Sequence, residues 1–152
     1  NKIIFLVDLK TIENDISSLE SPNKISQLLL DTQWSLNYTN FNYVGTAFTN
    51  PTLDASAMTH VHFNMYIPGT VPSNFDFLIS IEDWGPNQVD NGGDDTRQQI
   101  FVNSSQVQAN TWITVDVPLT LINKNNIGLI IYENINGSSL SNFYIDNVYF
   151  YY

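Results

Sequence analysis

Residues 58–66 read M-T-H-V-H-F-N-M-Y, and their alternation points to the fold class. In an extended strand successive side chains point to opposite sides. Val61, Phe63 and Met65 then face one way, and His60, His62, Asn64 and Tyr66 the other. The first set is core material. The second joins hydrogen-bonding groups to an aromatic ring, a surface suited to a polyhydroxylated ligand. A solvated outer sheet face is the competing reading, because antiparallel sheets commonly keep one wet side.

The same period of two recurs further on. Phe75, Phe77, Ile79 and Ile81 alternate with Asp76, Leu78, Ser80 and Glu82, and Ile113, Val115 and Val117 with Trp112, Thr114 and Asp116. Strands are expected over 41–48, 60–67, 75–83, 98–103, 112–117, 127–132 and 143–151. Turn signals separate them, among them Pro68-Gly69, Gly85-Pro86, Asn91-Gly92-Gly93 and Asn136-Gly137-Ser138. Seven or more short strands at this spacing imply an all-β antiparallel sandwich or barrel. Residues 8–33 are polar with sparse Ile and Leu, and 25–30 read as a short helix. Pro22 ends any helix before it.

A chain of 152 residues with 43% hydrophobic content is expected to be one globular domain, 1–152, with a real core. It begins at Asn1, so a processed or excised piece of a longer protein is expected. No run approaches the roughly 18 apolar residues of a membrane span. The formal charge of −10, with five basic residues, disfavours nucleic acid and acidic membrane surfaces, whose binding rests on Lys and Arg. The absence of cysteine excludes disulfides, a thiolate nucleophile and Cys-ligated zinc.

Three features bear on chemistry. A retaining glycosidase needs two carboxylates about 5–5.5 Å apart. Glu82 and Asp83 are adjacent and point to opposite faces, which leaves only a cross-strand pair such as Glu82 with Asp116. No G-x-S-x-G or H-E-x-x-H motif is present. The second feature is the loop D-W-G-P-N-Q-V-D-N-G-G-D-D-T-R, residues 83–97, where Asp90, Asp94 and Asp95 offer the hard oxygens that calcium favours. Its competing reading is an acidic turn with Asp94 capping the local backbone. The third is aromatic. Trp84, beside a Gly-Pro turn, is read as an exposed ring that can stack on a pyranose, or as a Trp packed under its own loop. Trp112, opening a core-forming strand, is read as structural.

From Tyr38 onward the chain resembles secreted β-sandwich carbohydrate-binding modules found beside glycoside hydrolases in Bacteroidota. The segments that carry this are Y-T-N-F-N-Y-V-G-T-A-F-T, T-L-D-A-S-A-M-T-H-V-H-F-N-M-Y-I-P, G-G-D-D-T, T-W-I-T-V-D-V-P-L and F-Y-I-D-N-V-Y-F, in the family's order over roughly three-quarters of the chain. Residues 1–36 are atypical, although Asp8 could fill the role of a family Asp at that end. The resemblance implies a jelly-roll sandwich, secreted or displayed at the bacterial surface. It implies a structural calcium near Asp146, and a β-glucan ligand, with β-1,3-glucan (laminarin) favoured. The polysaccharide would be the partner of a module covalently linked to an enzyme or transport-associated component, without nucleic acid and without membrane insertion.

The expected site follows from both readings. Trp84 and Tyr66 are the stacking rings; His62, Asn64, Glu82 and Arg97 supply hydrogen bonds; Asp146, Asp94, Asp95 and Asp90 are the calcium ligands. No catalytic residue is assigned. If Trp84 and Tyr66 fail, Trp34, Tyr38 and Tyr43 come next. A structural or docking domain without glycan binding is the alternative, and a small jelly-roll lyase or hydrolase the third reading.

Overall fold

The computed structural model describes residues 3–5, 24–30, 33–49 and 51–152. Ten strands follow in order: β1 (Ile3–Phe5), β2 (Lys24–Leu30), β3 (Gln33–Thr39), β4 (Tyr43–Ala47), β5 (His60–Tyr66), β6 (Asp76–Asp83), β7 (Thr96–Asn103), β8 (Trp112–Pro118), β9 (Ile127–Asn134) and β10 (Asn142–Tyr151). Among the described residues one 3-10 turn, Ser104–Gln106, follows β7. Two antiparallel sheets result. One runs β2-β3-β10-β5-β8, with β1 also paired to β10; the other runs β4-β9-β6-β7. The chain is an antiparallel β-sandwich of the jelly-roll type, and each of the seven strands expected from the alternation is present within a few residues.

The alternation works as the sequence implies. Along β5 the burial pattern is strictly periodic, with Val61, Phe63 and Met65 buried and the residues between them half-buried. Inward residues of both sheets meet in one aromatic-rich cluster. Phe143 sits at its centre, 5.1 Å from Tyr38 in a stacked arrangement and edge-on to Phe41 (4.7 Å) and Phe77 (5.2 Å). Such ring pairs contribute about 0.5–1.5 kcal/mol beyond their buried area. Tyr38, a reserve candidate for sugar stacking on sequence grounds, is 2% exposed and part of this core. Burial pushes the phenols of both Tyr38 and Tyr132 well above their ordinary range.

The N-terminal region departs from expectation. Residues 24–30 form strand β2, not a helix, paired with β3 from Lys24↔Thr39 to Leu30↔Gln33. The run K-I-S-Q-L-L-L is short and apolar, a pattern that fits either element by periodicity. A helix of six residues is not stable alone, whereas a strand gains a full ladder from its neighbour. A second departure lies in β10, where the register shifts between Asp146 and Tyr149. This bulge keeps Val148 buried and returns Tyr149 and Tyr151 to the outer side. Asn147 takes a positive φ of 51° there.

Candidate functional site: two outer sheet faces

Residues directly opposite in a ladder share a face, so the outer surface of each sheet can be read row by row. On the β10-β5-β8 part of the larger sheet the first row is Tyr144–Tyr66–Trp112. Tyr66 lies 5.4 Å from Trp112 at 47° and 5.8 Å from Tyr144, edge-on. The rings pack on one another at angles and do not form a flat platform. In the second row Asn147 Nδ2 donates to Asn64 Oδ1 (2.8 Å), and Asn64 Nδ2 to Thr114 Oγ1 (2.8 Å). In the third, His62 stacks on Tyr149 at 4.6 Å and its Nδ1 meets Asp116 Oδ2 at 3.1 Å. Tyr151 donates its hydroxyl to Asp116 Oδ1 (2.7 Å) and stacks on His60. The centre of this face is a closed network. Towards β3, Asn37 and Asn142 each leave an amide oxygen without a partner.

The four-stranded sheet is built differently. Its outer rows are Tyr43–Glu133–Leu78–Phe101, then Gly45–Ile131–Ser80–Gln99, then Ala47–Leu129–Glu82–Arg97. Phe101 (55% exposed) and Tyr43 (39%) stand at the two ends of the first row, three strand spacings or roughly 14 Å apart. Between the edges Ser80 is fully buried although it lies on the outer side. Ser80 Oγ has no hydrogen-bond partner, and neither does Trp84 Nε1 at the end of the same strand. Glu82, 3% exposed, forms an ion pair with Arg97 (Nη2 to Oε1, 2.5 Å). Unpartnered polar atoms buried in this way cost free energy of order 1–3 kcal/mol each, and a site built to receive a ligand is one setting that retains them.

The expected site residues therefore divide. His62, Asn64 and Tyr66 do share one face, on β5. Glu82 and Arg97 sit on the outer face of the other sheet, on the far side of the sandwich. They cannot act on one ligand with the β5 group, because the core separates them. Trp84 is 6% exposed, and a Cβ placed on Gly128 would overlap its indole. The ring lies flat against a glycine backbone under its own loop and has no free face for a sugar. Trp112 is the reverse case: it is half-buried on the outer side beside Tyr66, not in the core. The side chain of Trp34 lies outside the described residues. Phe101 escaped the sequence reading, although it occupies the same phase as Arg97 and Gln99 in T-R-Q-Q-I-F-V-N, opposite in phase to buried Ile100 and Val102.

Three of the four carboxylates expected to hold calcium accept from nearby backbone N–H groups. Asn87 N–H donates to Asp94 Oδ2 (3.4 Å), Asn91 N–H to Asp95 Oδ2 (2.7 Å) and Asn147 N–H to Asp146 Oδ1 (2.7 Å). Asp90 is exposed. Among the described residues no three His, Asp or Glu groups come together as metal ligands. Asp8 lies outside the described residues. Asp83 is fully buried and structural. Its carboxylate accepts from Gly85 N–H (2.8 Å) and Asn126 N–H (2.7 Å), fixing the strand end under Trp84. The cross-strand glycosidase pair also dissolves, because Glu82 and Asp116 lie on the outer faces of different sheets.

The two faces have opposite electrostatics. Burial pushes the Glu82 carboxyl up; Arg97 pulls it back, and Asp90 and Asp95 push it up further, leaving it above the usual range. Burial also opposes ionisation of Asp116, but hydrogen bonds from Tyr151 and His62 outweigh it and hold that carboxyl low.

No family model matches this chain, and no curated protein does. Solved structures do. The chain is similar to the family 11 carbohydrate-binding module from Clostridium thermocellum, solved with a β-1,3-1,4-mixed-linked tetrasaccharide, at 18% identity and TM-score 0.64 over 98% of this chain and 95% of that one. It is similar to the CBM27-1 module of Caldicellulosiruptor saccharolyticus, in complex with mannohexaose, at 15% identity and TM-score 0.55 over 99% and 97%. It also matches the Clostridium thermocellum xylanase 10B CBM22-1–GH10 structure, complexed with xylohexaose, at 11% identity and TM-score 0.60, covering 88% of this chain but 25% of that one. The fold is thus that of carbohydrate-binding modules.

Proposed function

We propose that this protein is a non-catalytic carbohydrate-binding module that holds a β-glucan, with β-1,3-glucan such as laminarin favoured, on the outer face of its four-stranded sheet. The observation that carries the choice of face is the pairing of exposed Tyr43 and Phe101 at its edges with unpartnered Ser80 Oγ in the floor between them. Exposed aromatic rings suit the apolar faces of pyranoses. Gln99 and Arg97 are exposed where sugar hydroxyls would reach them, with Ser80 and Glu82 buried beside them in the same rows. Similarity in fold to modules solved with glucan, mannan and xylan oligosaccharides supports polysaccharide as the ligand class. The β-1,3 preference and the setting, a secreted or cell-surface Bacteroidota protein in which the module is joined to an enzyme or transport component, rest on the resemblance of the segments quoted above.

The β5 face is the second reading, favoured by the half-exposed Tyr66 and Trp112 rings. A structural or docking domain without glycan binding is the alternative to both. Affinity electrophoresis in laminarin should retard the protein, with no reducing sugar released on incubation. Affinity is expected between millimolar and micromolar, roughly −4 to −8 kcal/mol. Product release would overturn binding without turnover; unchanged migration in every soluble polysaccharide tried would favour the docking alternative. Calcium at Asp146 is proposed on the resemblance alone. An ion bound to the folded state raises the melting temperature by mass action, so a melting curve indifferent to both EDTA and added calcium would remove it.

A further inference from the structure

The outer face of the four-stranded sheet carries a charge arrangement that bears on which polymers it admits. Arg97 is half-exposed, and the carboxylate of Glu82, 4% exposed, lies 2.5 Å from its Nη2. The β6–β7 loop adds Asp90 and Asp95, both close enough to Glu82 to disfavour its charge, and Glu133 stands in the first row of the face. Lys124, the other cation whose side chain is described, donates to Met58 O (2.6 Å) away from these rows. An anionic ligand arriving here meets one guanidinium already paired with a buried carboxylate, and further acids around it. A neutral ligand meets the exposed guanidinium donors of Arg97, whose charge the buried carboxylate offsets.

We infer that the Glu82–Arg97 pair makes this face selective for uncharged polysaccharides, with buried Glu82 cancelling the charge of Arg97, the cation described on this face that could otherwise hold a uronate or sulfate. This rests on the glycan-binding reading of the same face. Its signature is a reversal of preference. Glu82→Gln keeps shape but releases the arginine charge, so affinity for a neutral chain should change little while affinity for its carboxylated form rises. Arg97→Gln leaves the carboxylate unpaired and should deepen the discrimination.

The test uses laminarin and barley β-glucan, each beside its C6-oxidised, glucuronate-bearing derivative, measured by calorimetry at low and high salt. The wild type should bind the oxidised polymer on the order of tenfold more weakly than the parent at low salt, because juxtaposed like charges repel until salt screens them. Glu82→Gln should narrow or invert that ratio, and Arg97→Gln should widen it. Equal binding of parent and oxidised polymer by the wild type overturns the inference. So does a Glu82→Gln protein that loses both polymers in proportion, which is what a merely structural carboxylate would give. Should Glu82→Gln not fold, the widening in Arg97→Gln decides alone, and its absence is a refutation. A wild type that binds neither parent polymer overturns the glycan reading itself and this inference with it.

Discussion

The two outer faces of this sandwich are drawn from similar residues, polar side chains interleaved with rings, yet they treat their hydrogen-bonding groups in opposite ways. On β5, β8 and the end of β10, Asn64 is held by Asn147 and Thr114, His62 by Asp116, and Asp116 again by Tyr151. The rings there lie against one another. On β6 and its neighbours, Ser80 Oγ and Trp84 Nε1 are buried without partners, and the exposed rings stand at opposite edges. A closed network contributes to stability and gives a ligand little to replace. An open one is costly in isolation and becomes favourable when hydroxyls fill it. Residue type alone did not distinguish the faces; the state of the polar atoms on β5 and β8 against those on β6 does, while towards β3 the larger sheet also keeps the unpartnered Asn37 and Asn142 oxygens.

The largest expected effect tests whether Trp84 belongs to the architecture or to the ligand. Removing a packed indole from over Gly128 should cost about 3–5 kcal/mol of stability, visible as a large drop in denaturant midpoint. If Trp84→Ala keeps wild-type stability and loses only glycan binding, the ring is a stacking platform after all, and the contrast between the faces collapses.

Smaller, and aimed at the contrast directly, is a set of ring truncations. Phe101→Ala and Tyr43→Ala should each weaken laminarin binding by about 1–3 kcal/mol with little change in melting temperature. Tyr66→Ala should do the reverse, lowering stability through lost packing on Trp112 and Tyr144 while binding persists. Calorimetry and melting curves on the three variants separate the outcomes, and an exchange of the two patterns would move the site to the β5 face.

The smallest effect is in pH dependence. A carboxyl raised by burial, as in Glu82, contributes stability that is present below its unfolded pKa and is lost as pH rises through its folded pKa. A carboxyl lowered by hydrogen bonds, as in Asp116, contributes stability above its unfolded pKa and loses it as pH falls through the folded one. On going from neutral to mildly acidic pH the wild type should therefore gain on Glu82→Gln and lose its margin over Asp116→Asn. Chemical denaturation across that range measures both, and slopes of the same sign would show that the faces do not differ electrostatically.

The sandwich was legible in the chain because strand alternation is local: Val61, Phe63 and Met65, or Phe77, Ile79 and Ile81, announce a buried side whatever lies across from them. Phe101 was legible in the same way, from its phase against Ile100 and Val102. The β2 strand was not, since six apolar-rich residues become a strand only when β3 lies alongside. Nor was the allocation of strands to sheets. Glu82 and His62 each sit on a half-polar strand, and only the order β4-β9-β6-β7 against β2-β3-β10-β5-β8 places them on opposite sides of one core. The environments of Trp84 and Trp112 were likewise decided by tertiary structure. One ring found a glycine backbone to lie on and the other found Tyr66, and burial of a large side chain depends on what the rest of the chain brings to it. Periodicity sets which way a residue points; only the packed sheets decide whether anything is there to meet it.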